Sequence, residues 1–289
     1  MIRHMAARSF RAGGRLTHIA VSVGLAAVAV LSGAAPAAAT HSWGGYHWAR
    51  TAAPFTLKLG DNVDSTWDSY LATTSKDWTV SAALDTTIVG GQSSPRRCNA
   101  VAGTVQVCNS TYGQNGWLGI ASVWVSGEHI TQGTVKLNDT YFRTAKYNTP
   151  AWKNMVTCQE VGHTLGLGHV DEAFGNANLG TCMDYTNDPN PPLPLLNNEH
   201  PNGHDYEQLD TIYAHLDSSS TVAAVAASAA QTRSVDPGDT PASWGRAVAF
   251  TEDGRGRVYV RDLGNDQRIT TFVSWAPDAP NAGLKPEGR

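Results

Sequence analysis

From Phe55 the chain alternates apolar and polar side chains through Thr56-Leu57-Lys58-Leu59, which predicts a strand with one buried face. Asp64, Ser65 and Thr66 then offer caps ahead of Trp67, Tyr70, Leu71 and Trp78, whose near-helical spacing predicts a helix. A strand is expected from Thr79 to Leu84, and the Gly-, Ser- and Asn-rich stretch from Gly90 to Cys108 reads as loop and hairpin. The runs 117–124 and 133–137 read as strands, the first at a sheet edge where an extended peptide can add as another strand. Thr149 as cap and Pro150 in the first turn open a helix that gathers Trp152, Met155, Val156, Gln159 and His163 on one side. Core packing accounts for the tryptophan, methionine and valine. Four prolines between Asn187 and Asn198 preclude regular structure there, and Tyr206, Leu209, Ile212, Tyr213 and Leu216 give a final helix one buried face.

The ends of the chain follow different patterns. Arg3, Arg8, Arg11 and Arg15 precede an apolar run from Ile19 to Leu31 and the small residues Ala37-Ala38-Ala39, the arrangement of a secretory signal peptide over residues 1–39. That run is too short to span a membrane, and no later segment has the roughly 20 consecutive apolar residues a spanning helix needs. A soluble, secreted, extracellular protein with no membrane partner is expected. Without the four leader arginines, 17 basic side chains face 25 acidic ones, which argues against nucleic acid as a partner. Residues 218–242, rich in Ser, Ala and Thr, read as a linker. Residues 243–289 form a small β-strand appendage with strand-like runs at 247–250, 258–261 and 269–275, too small to stand alone and therefore expected to pack on another surface.

The densest chemistry lies between Gln159 and His169. The stretch matches the zinc-protease pattern H-E-x-x-H-x-x-G-x-x-H at every defining position but the first, where Gln159 replaces histidine. Residues i and i+4 share a helix face, so Gln159 and His163 can aim at one metal, with Glu160 in reach of its water. Gly166 lets the backbone leave the helix in a left-handed conformation and return His169 as a third ligand. The fourth position stays open, as a catalytic zinc site requires.

At these residues, read with Thr181-Cys182-Met183-Asp184-Tyr185, the chain resembles the metzincin clan of zinc metallopeptidases, most closely its matrixin-like branch. The resemblance covers roughly residues 54–217 and is sharpest over 159–185. It implies an α+β metzincin-like zincin domain, placed at residues 40–217, with a twisted mixed sheet, an active-site helix, a methionine turn at Met183 and a C-terminal helix. It implies one catalytic zinc ion on Gln159, His163 and His169, Glu160 as general base, and Tyr185 as a metal-binding or transition-state group. Gly119 to Trp124 is similar to the clan's substrate-flanking strand, and Asn138 to the next one. The implied activity is that of a secreted, zinc-dependent endopeptidase, a monomer acting on protein or peptide substrates. Calcium is common in the clan, but the acidic residues here are too scattered to assign a site.

Gln159 is the departure from that pattern. Its amide oxygen is neutral like imidazole but a weaker donor, so lower zinc affinity is expected, with Asp171, His200 or His204 as candidate replacement ligands. The alternative is a catalytically inactive zincin-fold binding protein that keeps Gln159 as a hydrogen-bonding core residue. Retention of Glu160 weighs against it, because a buried carboxylate without a partner is costly. His41, His47 and His215 fall outside any ligand spacing and are expected in surface or packing roles, and His129 in a surface loop. The cysteines lack close C-x-x-C spacing, so disulfides are expected in an exported chain. Three pairings are possible; Cys98 with Cys108 and Cys158 with Cys182 are favoured, the second clamping the ligand helix to the methionine turn.

Overall fold

His47–Trp48 forms a two-residue strand, β1, and the alternating run after it builds β2 (Phe55–Asn62), whose odd-numbered apolar residues are buried. The computed structural model describes residues 41–222 and 235–279, so the signal peptide expected over 1–39, part of the linker expected over 218–242, and residues 280–289 lie outside the described residues. Helix α1 (Asp68–Trp78) follows, then strands β3 (Leu84–Gly90), β4 (Thr104–Ser110), β5 (Trp117–Ser126) and β6 (His129–Asn138). A short helix α2 (Asp139–Phe142) begins where the Asn138 side chain accepts from Thr140 N. The long helix α3 (Pro150–Thr164) starts at the Thr149 cap, whose hydroxyl accepts from Trp152 N. After α4 (Gly203–Ile212) and a short α5 (Pro241–Trp244), the strands β7 (Arg246–Phe250), β8 (Gly256–Gly264) and β9 (Gln267–Trp275) complete the described chain.

The strands join one mixed sheet in the order β3-β2-β4-β6-β5-β9-β8-β7, with β1 paired to β6 in parallel. β2, β3, β4 and β6 run parallel to one another, whereas β5 is antiparallel to both β6 and β9. With few helices on a mixed sheet, the architecture is α+β. Helix α3 crosses β5, β6 and β9, and α1 packs beside it. Buried Trp48, Trp67, Trp78, Leu57, Leu71 and Val161 belong to the core under these helices. The indoles keep their N–H groups satisfied, Trp78 donating to Cys158 O at 3.1 Å and Trp48 to Thr164 O at 2.8 Å. A second cluster, containing Trp117, Tyr185, Trp244 and Trp275, fills the seam between β5 and the C-terminal strands. No helix among the described residues is long and apolar enough to cross a membrane.

Four sequence expectations need correction. Residues 79–83 are turns rather than a strand, because Thr79 N still bonds Ser75 O and Val80 N bonds Asp77 O as α1 unwinds; the strand begins at Leu84. β4 is no hairpin arm but a parallel strand between β2 and β6. β5 is not an edge. β9 pairs along its whole length, from Trp117 opposite Trp275 to Ser126 opposite Gln267. Leu216 lies beyond the end of α4 and is exposed.

Candidate metal centre and its cleft

Helix α3 carries Gln159, Glu160 and His163, all fully buried. Two glycines make that placement possible. Gly119 on β5 lets the helix sit directly on the strand: a Cβ there would lie 2.7 Å from Glu160 Oε1 and 2.6 Å from Val156 Cγ1. Gly166, at φ +103°, turns the chain out of the helix toward Leu167, and its Cβ would meet Tyr46 O at 2.6 Å. The turn brings His169 back over His163, with their Nε2 atoms 3.0 Å apart. From behind, the Cys158–Cys182 disulfide ties α3 to the segment carrying Met183, while Cys98–Cys108 fastens the loop before β4 to β4 itself.

The donor geometry is what a metal site needs in part. Tetrahedral zinc with bonds of about 2.0–2.1 Å places its donor atoms about 3.3–3.4 Å apart, close to the His163–His169 spacing. Nδ1 of His163 faces Leu167 O at 2.8 Å, so the proton sits on Nδ1 and the Nε2 lone pair points inward. His169 is held differently. Arg257 of β8 reaches its Nδ1 at 3.1 Å, and Glu172 stands 3.6 Å from the same atom. An Arg N–H at Nδ1 leaves the proton on His169 Nε2, aimed at His163 as an N–H···N hydrogen bond. Metal binding therefore requires His169 to switch tautomer and present its Nδ1–H to Glu172. Burial, and then mutual repulsion in the case of His163, holds both imidazoles neutral, well below the usual histidine range.

Gln159 has both amide protons committed, to Cys182 O at 2.8 Å and Asp184 O at 3.1 Å, which buckles the methionine turn to the helix. Its Oε1 points the other way and accepts from Ser274 Oγ. The same hydroxyl lies 2.5 Å from Glu160 Oε1, while Glu160 Oε2 has no hydrogen-bond partner. Desolvation pushes the Glu160 carboxyl up to about 8, with hydrogen bonding from Ser274 offsetting part of the effect. Met183 is buried beneath the helix. Tyr185 donates to Val273 O at 3.2 Å and accepts from Trp275 N at 3.0 Å, its ring centroid 4.8 Å from that of His169. Of the candidate replacement ligands, Asp171 accepts from Ala173 N, His200 pairs with Asp77 at 2.7 Å, and His204 stacks on His41. None of the three is in hydrogen-bond contact with His163 or His169.

β9 is the element that the spacing of motifs left out. Phe272 stacks on the His163 imidazole at 4.3 Å with 11° between the planes, and Ser274 covers Gln159 and Glu160. A cavity of about 410 Å³ remains open beside His169, lined in part by His41, Trp43, Arg257, Arg268 and Phe272. Two further groups among the described residues bring one ligand-type atom from each member within 4.8 Å of the others: His41 with His204 and Asp205, and His47 with His215 and Asp217. His41 and His47 are buried and packed against other imidazoles, and the His215 side chain is exposed, all within the surface or packing roles expected of them; His129, expected in a surface loop, instead opens β6. His41 and His47 stand far in sequence from the other members of their groups, so only the fold could reveal the groups.

No family model matches the sequence, and no curated protein matches it. Among solved structures, high choriolytic enzyme 1, a hatching-enzyme zinc-protease from the medaka fish Oryzias latipes, aligns with a TM-score of 0.35 and 11% identity, over 60% of this chain and 96% of that one. At that level of likeness the functional reading rests on the residues of this chain.

Proposed function

We propose that this chain is a secreted zinc peptidase of metzincin-like design whose cleft is closed by its own C-terminal strand. The observation that carries the reading is the convergence of His163 and His169, with Nε2 atoms 3.0 Å apart, beside a buried glutamate on the same helix. His163 and His169 would hold the ion, with Gln159 Oε1 as third donor once Ser274 withdraws. Zinc in such a setting supplies Lewis acidity and makes a bound water acidic near neutral pH. With the cleft open and a cation bound, both of which favour its ionised form, Glu160 would take a proton from the attacking water and pass it to the leaving amine. Tyr185, freed from Val273 and Trp275, donates its hydroxyl proton toward the developing oxyanion. The antiparallel pairing of β9 with β5 supports the place of the substrate: an extended peptide adding to β5 would take over the same backbone hydrogen bonds.

A second reading, a zincin-fold binding protein without turnover, draws on one specific observation. Gln159 is fully satisfied by the turn carbonyls and Ser274, as a core residue would be. Zinc content and chelator-reversible peptide hydrolysis of the mature protein separate the two. Glu160→Gln should retain metal and lose most turnover, at least a hundredfold by the usual worth of a general base of about 10²–10⁴. Zinc bound without hydrolysis, in wild type and in variants that loosen β9, would establish the binding reading instead.

A further inference from the structure

Away from the cleft, three imidazoles and one carboxylate meet where β1, the start of β6 and the segment after α4 come together. Nε2 of His47, His129 and His215 lies 3.4, 3.1 and 3.6 Å from the single oxygen Asp217 Oδ1. His47 Nε2 and His215 Nε2 are themselves 3.2 Å apart.

Hydrogen bonding alone explains this cluster only if His47 carries a proton on both nitrogens. His47 Nδ1 faces Gly45 O at 3.0 Å, a contact that needs the proton on Nδ1. In a neutral His47 the Nε2 lone pair then points at a carboxylate oxygen and at a second imidazole nitrogen, and at least the carboxylate contact sets acceptor against acceptor. A cation at the meeting point turns that repulsion into coordination. The separations of 3.1–3.6 Å bracket the roughly 3.3–3.4 Å between donors of a tetrahedral site with bonds of about 2.0–2.1 Å.

The surroundings are built as metal ligands usually are. The Gly45 carbonyl orients His47, and the other Asp217 oxygen accepts from Arg50 N at 2.9 Å while Asp217 N donates to Arg50 O at 2.8 Å. The Arg50 guanidinium also bonds the carbonyls of Tyr213 and His215, fixing the turn on which two of the four groups stand. His47 is buried and the Asp217 side chain is 9% exposed, whereas the side chains of His129 and His215 are 36% and 56% exposed, which leaves an ion a way in.

We infer that His47, His215 and Asp217 form a second metal site for a divalent transition ion such as zinc, independent of the cleft, with His129 beside it on Asp217. Mixed imidazole and carboxylate donors suit zinc and its neighbours rather than calcium or magnesium. The role of the site is structural. It fastens the N-terminal segment, whose Trp43 and Trp48 cap the His163 and Thr164 carbonyls at the end of α3, to the chain leaving α4.

The test is metal analysis of the full mature protein after zinc loading and gel filtration, compared with Asp217→Asn and with the double variant His47→Ala/His215→Ala. Each should hold one zinc fewer per chain than the wild type, whatever His163 and His169 bind. A His163→Ala/His169→Ala variant should still hold the ion at the second site. Crystals of the wild type grown with zinc should give an anomalous peak among the four side chains. Because the alanine variant can fail by unfolding, Asp217→Asn, which keeps shape and the Arg50 contact, carries the solution test. EDTA should lower the Tm of the wild type by more than that of Asp217→Asn, which keeps only the cleft site. No anomalous peak at these residues, or equal zinc content in wild type and Asp217→Asn, overturns the assignment.

Discussion

Ser274→Ala removes one oxygen atom from β9 and leaves no cavity large enough to collapse the site. The one proton of that hydroxyl is shared between Glu160 Oε1, 2.5 Å away, and Gln159 Oε1, inside a fully buried pocket. Loss of a hydrogen bond to a charged or partly charged buried acceptor costs about 1.5–3 kcal/mol. The loss falls on the closed state alone, since in the open state water solvates both acceptors. At 1.4 kcal/mol per decade, the ratio of open to closed cleft should rise roughly 10- to 150-fold. Hydrogen-exchange mass spectrometry should find the β9 amides from Gln267 to Trp275 exchanging faster by that factor, with β2 and β4 unaffected. Peptide hydrolysis by the zinc-loaded variant should rise in parallel. Equal exchange in β9, or faster exchange spread evenly over the sheet, would refute the idea that Ser274 latches a strand that opens on its own. Faster exchange in β9 with no gain in hydrolysis would show that closure is not what limits turnover.

Three further outcomes test the site. In zinc titrations Gln159→His should bind as tightly as wild type or tighter, whereas Gln159→Ala should bind more weakly; equal affinities for all three proteins would remove the amide from the metal shell. Gly119→Ala forces a methyl into contact with Val156 and Glu160, so denaturant unfolding should register a loss of about 1–3 kcal/mol, and no change would mean that α3 shifts freely on β5. Replacing Cys158 and Cys182 by serine opens a loop of 24 residues in sequence separation, which should cost about 3 kcal/mol in chemical denaturation. The same change should weaken zinc binding more than removal of Cys98–Cys108, because only Cys158–Cys182 holds the methionine turn against α3.

How far the molecule could be read from its sequence depended on the range of the interactions involved. Helix α3 was legible because its cap, first-turn proline and ligand spacing are all local, and Gly166 announced the turn that returns His169. The strand expected from Thr79 failed for a local reason as well: β-branched Thr79 and Val80 favour extended structure, yet they complete the last turns of α1. The run 269–275 read correctly as a strand, but nothing in its composition says which strand it joins. Its pairing with β5 is set by tertiary packing, and Ser274 looks like any other serine until the fold places it on Glu160. His47 and His129 share no spacing rule with His215 and Asp217, since they come from separate elements. Arg257 and Glu172, which decide the His169 tautomer, were invisible for the same reason.

The pairing of β9 with β5 also bears on how the molecule behaves in a crowd. β5 is ten residues long and buried at every position but the last, the kind of apolar ribbon that joins chain to chain when left unpaired. With β9 in place, one border of the sheet passes instead to β7, five residues long, broken by register shifts and carrying an exposed Arg246, a poor template for further growth. Any event that frees the cleft therefore uncovers an adhesive border at the same moment. Opened molecules should draw together as their concentration rises, and a peptide bound along β5 would act as both guest and solubiliser.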